Sequence, residues 1–351
     1  MKFSEIIGNR TVAEAMVSMA DSGRVAHAVL LYENEGCGAL PLALAYLQYL
    51  NCSNPSGGDS CGQCPSCRQM EKLIHPDVHF VFPVNKGPKT SDDKPTSESY
   101  VKYWRELALA DPYFTEADLQ KAIGIESKNG LIAVAEARSI ITKLSLAPVY
   151  DGYKAVVFYL PEKMNQETAN RLLKMVEEPP QKTLFLFITH APEKVLQTIF
   201  SRCQSIRVMP LTKEEQRQVQ ERRPLVEDED GNMFLDLFAD LMNAIVSKDL
   251  MTALDCGEAM AALDSREKQK AFCNFAASGI RKIFMLQQDL QQIADVSEEE
   301  YGFYAEMAGK CPKGFCMKQM ANIDKVVSMI DRNVSSKIVF CDLVNRMFMN
   351  I

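Results

Sequence analysis

Three things are scarce in this sequence: surplus positive charge, long apolar runs and tryptophan. The 351 residues carry a formal net charge of -7. Binding DNA unaided through phosphate contacts requires a basic surface, so any DNA contact is expected to be local or shared with partners. No apolar stretch reaches the ~18 residues of a membrane span, and no basic-then-apolar segment stands at the start, so the expectation is a soluble, cytoplasmic protein without membrane contact. The single tryptophan is Trp104. Eleven cysteines are present. In a cytosolic chain they make a poor disulfide framework, so clustered ones read as metal ligands and scattered ones as small buried hydrophobes. A hydrophobic content of 47% and a charged content of 24% are otherwise those of a globular protein, with length enough for two or three domains.

Residues 153–203 organise the rest. Lys154-Ala-Val-Val-Phe158 is a strand-length apolar run with β-branched residues, the pattern of a strand buried on both faces. A helix follows from Met164-Asn165, with Ala169, Leu172, Leu173 and Val176 forming an apolar stripe and Pro179-Pro180 stopping it. A second buried strand spans Thr183–Thr189. Two such strands joined by a helix form a βαβ unit, which predicts a parallel sheet with a right-handed crossover. His27–Tyr32 reads as another buried strand, with His27 packed at its end.

The segments Ala169-Asn-Arg-Leu-Leu-Lys174, Glu177-Glu-Pro-Pro180 and Thr198-Ile-Phe-Ser-Arg-Cys203 resemble the matching run of clamp-loader AAA+ subunits. The resemblance implies an AAA+ (RecA-like) α/β domain acting in DNA replication, within a hetero-pentamer of clamp-loader subunits. Through that complex the sliding clamp and primer-template DNA would be reached. It also implies that Arg202, flanked by Ser201 and Cys203, is an arginine finger reaching the ATP site of an adjacent ATPase subunit. The plainer reading of Arg202 is an ion pair with a carboxylate at a strand end.

Glu33–Gly38 lies where a Walker A loop would join a strand to the helix starting near Pro41. A working G-x-x-x-x-G-K-[ST] loop uses its first Gly for the turn, its Lys on the β/γ-phosphates and its hydroxyl on Mg²⁺. Those positions are here Glu33, Ala39 and Leu40; only Gly36 and Gly38 remain, and a carboxylate stands near where phosphate would sit. The Walker B acidic positions, aligned on Lys163-Met164-Asn165, are Tyr159 and Leu160. Charge clamp and metal positioning are separate requirements of phosphoryl transfer, and both are missing. The expectation is no ATP as cofactor, no catalysis in cis and the role of a fixed stator. The alternatives are a loop that binds ATP without hydrolysing it, an active ATPase of the same fold, and a zinc-dependent DNA-binding protein.

Cys52, Cys61, Cys64 and Cys67 have the spacing of a tetrahedral zinc site, with Gly57, Gly58, Gly62 and Pro65 supplying tight turns. Four thiolates leave no position for water, which makes the site structural. The zinc module is expected over 52–67, and an insertion over 85–130 with a mobile loop at 85–99, two short helices over 100–124 and Trp104 pinning it to the core. The α/β domain is placed at 1–208, a truncated lid and linker at 209–231, and a helical domain at 232–351. Four apolar stripes run through that last part, led by Phe234, Phe272, Cys316 and Phe340. The resemblance makes it a collar that holds the pentamer together.

Overall fold

A computed structural model describes residues 1–126, 128–222, 229–294, 296 and 298–351. The chain divides into two compact units, Met1–Leu225 and Val226–Ile351. The first opens on a 3-10 turn (Phe3–Glu5), α1 (Arg10–Asp21) and β1 (Ala28–Tyr32), followed by α2 (Ala39–Leu50), α3 (Pro65–Glu71) and β2 (Val78–Val81). Next come α4 (Ser97–Ala110), α5 (Glu116–Ile123), α6 (Val134–Ser145), β3 (Lys154–Tyr159) and α7 (Gln166–Glu177). The unit closes with β4 (Thr183–Thr189), α8 (Gln197–Phe200), β5 (Gln204–Arg207) and α9 (Lys213–Arg222).

The five strands form one sheet in the order β2-β3-β4-β1-β5, and every pair is parallel. Successive side chains of a strand point to opposite faces, and here both faces are covered. Val29, Leu31, Val157, Leu184, Leu186 and Ile188 pack against residues of α2, α4 and α5, among them Leu42, Tyr46, Trp104 and Leu119. Their neighbours Ala28, Leu30, Val156, Phe158, Phe185 and Phe187 pack against α6, α7 and α8 through Ile140, Leu172, Val176 and Ile199. Burial on both sides is why these strands read as unbroken apolar runs. Each of the Val, Leu, Ile and Phe side chains among them contributes about 1.5–3 kcal/mol when fully buried.

Local signals set the boundaries of α7. Asn165 caps its start by accepting the Thr168 N–H at 2.8 Å, and Pro179 forces the residue before it out of helical geometry. Strand β2 is absent from the sequence reading. It is four residues long with His79 and Phe80 only half-buried, so no apolar run marks it; pairing with β3 makes it a strand. The segment read as a mobile loop has no regular element before α4, yet it is tied down. Tyr100 Oη donates to the Asn85 carbonyl at 2.8 Å and accepts from the Gly87 N–H at 3.0 Å. Trp104 stacks on Phe80 at 4.3 Å and on Phe82 at 5.7 Å between ring centroids, and so anchors the insertion to β2 and the residue after it.

Among the described residues of this unit, α9 is the only helix after β5. Most of the acidic linker stretch, 223–228, lies outside the described residues; helix begins again at Glu229, inside the span read as linker. The second unit is all helical: α10 (Glu229–Ser247), α11 (Leu250–Ala261), α12 (Arg266–Gln287), α13 (Gln291–Ala294), α14 (Glu298–Lys310), α15 (Phe315–Asp331) and α16 (Ser336–Phe348). The four stripes lie in its core, with Phe238, Ile280, Ile323 and Phe340 all fully or almost fully buried. Tyr304 and Met307 of α14 join them from a helix whose charged sequence hides its apolar face.

Truncating Trp104 tests the anchoring of the insertion. Trp104→Ala is expected to cost about 3–5 kcal/mol, the range for large aromatic-to-alanine cavities. A denaturant titration of the first unit's transition measures it; a loss below about 1 kcal/mol would mean that the insertion is not held by this residue.

Candidate functional site

In a parallel sheet covered on both faces, ligands bind beyond the carboxyl ends of the strands. The neighbouring strands β1, β4 and β3 end together here, and the candidate loop leaves β1 at that edge. Gly36 and Gly38 adopt φ of 77° and 106°, which turns the chain into α2. Glu33, only 7% exposed, folds back over the turn so that its Oε2 accepts the Ala39 N–H, the first of α2, at 2.8 Å. A helix N-terminus carries partial positive charge and unsatisfied N–H groups, and the Glu33 carboxylate supplies the matching anion. Ala39 and Leu40 are buried in the core and offer neither cation nor hydroxyl.

His190, immediately after β4, completes the arrangement. Its Nε2 lies 3.4 Å from Glu33 Oε1 and its Nδ1 3.9 Å from Glu35 Oε1, so each ring nitrogen faces a carboxylate. Burial lowers the imidazole pKa, but contact with Glu33 and the charges of Glu35 and Glu162 outweigh it and raise the value above normal. At the end of β3, Tyr159 is buried, directs its hydroxyl to the Phe114 carbonyl at 3.4 Å and meets His190 edge-on at 5.5 Å. Leu160 is buried too, with a positive φ of 58°. Neither supplies the carboxylate that a Mg²⁺ site uses. Glu162 accepts from Thr189 Oγ1 at 2.7 Å and from the His190 N–H at 3.2 Å.

Tyr113, between α4 and α5, covers the loop. A Cβ added to Gly38 would lie 3.0 Å from its ring. Its hydroxyl accepts the Ile7 N–H at 2.8 Å and donates to the Ile7 carbonyl at 3.2 Å, and the ring shares a small cluster with Ile7, Leu211 and Val219. The sequence reading includes neither Tyr113 nor His190. The position just after a central strand of a parallel sheet was the available signal for His190; nothing local marks Tyr113.

Cys52, Cys61, Cys64 and Cys67 converge, with all four Sγ atoms within 4.8 Å of one another and Cys61 and Cys67 at 3.9 Å. Tetrahedral thiolates at ~2.3 Å from a metal stand at about that separation, so the donor set fits a four-thiolate metal centre. Backbone N–H groups point at the sulfurs: Cys61 N to Cys52 at 3.2 Å, and Cys64 N to Cys61 and Cys67 N to Cys64 at 3.4 Å each. For Cys64, burial favours the thiol, but hydrogen bonds from Cys67 and Ser53 prevail and bring its pKa down to about 6. Burial and its sulfur neighbours push Cys67 strongly the other way. Within the same loop the Asp59 carboxylate accepts the N–H groups of Phe3 at 3.0 Å and Ser4 at 3.1 Å. His75 and His79, outside this cluster, are half or more buried and belong to the packing beside β2 and β3.

Arg202 sits in the turn between α8 and β5. Its Nε donates to Glu177 Oε1 at 2.6 Å, its Nη2 contacts the same carboxylate, and its Nη1 donates to the Thr198 carbonyl at 2.8 Å. The partner is thus the last residue of α7 rather than a strand-end carboxylate. Ser201 is exposed, and burial pushes the half-buried Cys203 thiol up to about 12, which leaves it unreactive.

These features define a parallel α/β module in which the turn after β1 is closed by the chain's own Glu33, His190 and Tyr113. The family model described as "DNA polymerase III, delta subunit" matches residues 8–212, and the chain belongs to that family. Within that family match lies a parallel five-stranded α/β unit, and the second unit is helical in its described residues. DNA polymerase III subunit delta' of Yersinia pestis is 31% identical over 188 residues, covering 54% of this chain and 43% of that protein. The Bacillus subtilis subunit delta' is 26% identical over 200 residues, covering 57% and 47%. The matched stretch therefore spans less than half the length of these relatives. A DNA polymerase III gamma subunit-related protein from Thermotoga maritima superposes on 96% of this chain and 99% of its own, at a TM-score of 0.40 and 14% identity.

The His190 pair has a definite pH signature. A raised folded pKa means that its contribution is complete below the unfolded value of ~6.5 and is lost as pH rises through the folded one. Wild-type stability is therefore expected to contain a component that declines above about pH 6.5 and that His190→Gln lacks. Matching pH profiles of unfolding midpoint for the two proteins would exclude a charged His190.

Proposed function

We propose that the chain is a delta-prime-type, non-hydrolysing stator of a bacterial DNA polymerase III clamp loader. In this reading it binds no ATP, joins ATPase subunits in a hetero-pentamer, and supports loading of the sliding clamp on primer-template DNA. The observation that carries the proposal is the phosphate loop: within a family of clamp-loader subunits, its anion position is taken by Glu33, and Tyr159 and Leu160 stand where metal and water would be handled. Arg202 would then act in trans. A guanidinium presents a rigid fork of donors suited to the charge that develops on a transferring phosphoryl group. In the isolated chain that fork rests on Glu177. The helical second unit would form the collar, and the four-thiolate centre would hold structural zinc.

Two measurements test these roles. One equivalent of zinc is expected in protein purified under reducing conditions, and chelation should unfold the 52–67 loop, since structural zinc contributes on the order of 10 kcal/mol in small modules. Metal content well below one equivalent would end the zinc assignment. In a reconstituted complex, Arg202→Ala is expected to assemble normally, lower DNA-stimulated ATP hydrolysis severalfold and impair clamp loading more. Arginine fingers supplied in trans are worth roughly 10³–10⁵ in GTPases, but only one of several ATP sites is affected here. Full activity in an assembled mutant complex would leave Arg202 as a structural partner of Glu177.

A further inference from the structure

We infer that Glu33 and Tyr113 together are an internal occupant of the phosphate loop: a carboxylate in the anion position and a phenol ring over the turn, held there by the insertion as a built-in plug. The inference rests on the reading that this loop binds no nucleotide, and it goes further by naming what keeps the loop closed.

The carboxylate is placed as an anion ligand would be. It is buried, it accepts the first N–H of a twelve-residue helix at 2.8 Å, and the imidazole of His190 stands 3.4 Å from its other oxygen. Backbone N–H groups at a helix N-terminus are the elements with which phosphate loops hold anions, and Gly36 and Gly38 still give the turn its left-handed backbone. A lost phosphate contact alone would have left these donors facing solvent. Here a side chain from the loop's own first residue satisfies the first of them, the Ala39 N–H.

Tyr113 shows that the closure extends beyond one carboxylate. Its two hydrogen bonds to the Ile7 backbone and its apolar contacts with Leu211 and Val219 join the N-terminal segment, the insertion and α9 around the turn. The same insertion grips the loop a second time, because the Glu116 N–H donates to Glu35. Glu116 also pairs with Lys163 at 3.0 Å, in the turn after β3. Loop, insertion and β3 exit are thereby fastened to one another. Such a plug suits a subunit that stays fixed while its neighbours bind and release nucleotide.

The plug predicts a gain of binding on removal. Glu33→Ala leaves the Ala39 N–H and the His190 ring facing a carboxylate-sized gap, which inorganic phosphate can enter. Unfolding of the full-length chain would be followed at pH 6 and constant ionic strength, with and without inorganic phosphate. Glu33→Ala is expected to melt about 2–4 °C below wild type for a loss on this scale, and to recover in a saturable way with phosphate. Wild type should show no saturable response. Glu33→Gln, which fills the gap and can still accept the helix N–H, should be mildly destabilised and indifferent to phosphate. A Glu33→Ala chain as stable as wild type, or an equal phosphate response in both, would overturn the plug. If the alanine variant does not fold, a Glu33→Gln protein matching wild type at pH 6 would overturn it instead. Saturable binding of Mg-ATP by wild type would defeat the nucleotide-free reading itself; an inert wild type with no gain in Glu33→Ala would defeat only the internal occupant.

Discussion

A parallel sheet can be built only if both of its faces are hidden, and this constraint shapes the whole first unit. Parallel neighbours need long crossovers, and the crossovers must carry the helices that cover the faces. All five strands consequently run the same way and release their loops at one edge. The loop after β1, the Tyr159-Leu160 exit of β3 and His190 after β4 meet there because of strand direction, without any of them being near in sequence. A site at this edge is inherited from the architecture; its chemistry is set by a few side chains. With Glu33 bonded to the Ala39 N–H and facing His190, the polar groups at this edge meet one another.

Charge is arranged locally even though the chain is acidic as a whole. Glu33, Glu35 and Glu162 surround one imidazole whose raised pKa reflects their combined field, in a pocket that burial alone would have kept neutral. The cysteine cluster poses the opposite problem. Backbone N–H groups can stabilise part of the negative charge on four sulfurs, as the lowered pKa values of Cys61 and Cys64 show, but Cys52 and Cys67 are pushed up by burial.

How much of this could be read from the residues depended on the range of the interaction. Periodicity located β1, β3, β4, α7 and the four stripes of the helical unit, because each is a local pattern that burial enforces. The cysteine spacing located the sulfur cluster for the same reason. Strand β2 escaped because its identity comes from pairing with β3 and its sequence has no run to betray it. Glu33 was singled out in the sequence as standing where a phosphate loop would begin, but its partner His190 was not legible, since more than 150 residues separate the two. Tyr113 contacts Ile7 across 106 positions, and no window of sequence contains both. Arg202 was legible as a motif, while its attachment to Glu177 required the turn between α8 and β5 to fold back on the end of α7.

Asp59 gives the cysteine loop a mechanical reach that its own size would not suggest. Its carboxylate holds the backbone of Phe3 and Ser4, a few residues before Ile7, whose peptide group in turn holds Tyr113 over the turn after β1. The first seven residues act as a short strap, buckled at one end by the thiolate loop and at the other by the insertion. One short segment thus joins the cysteine loop at one end to the ring that covers the turn after β1 at the other.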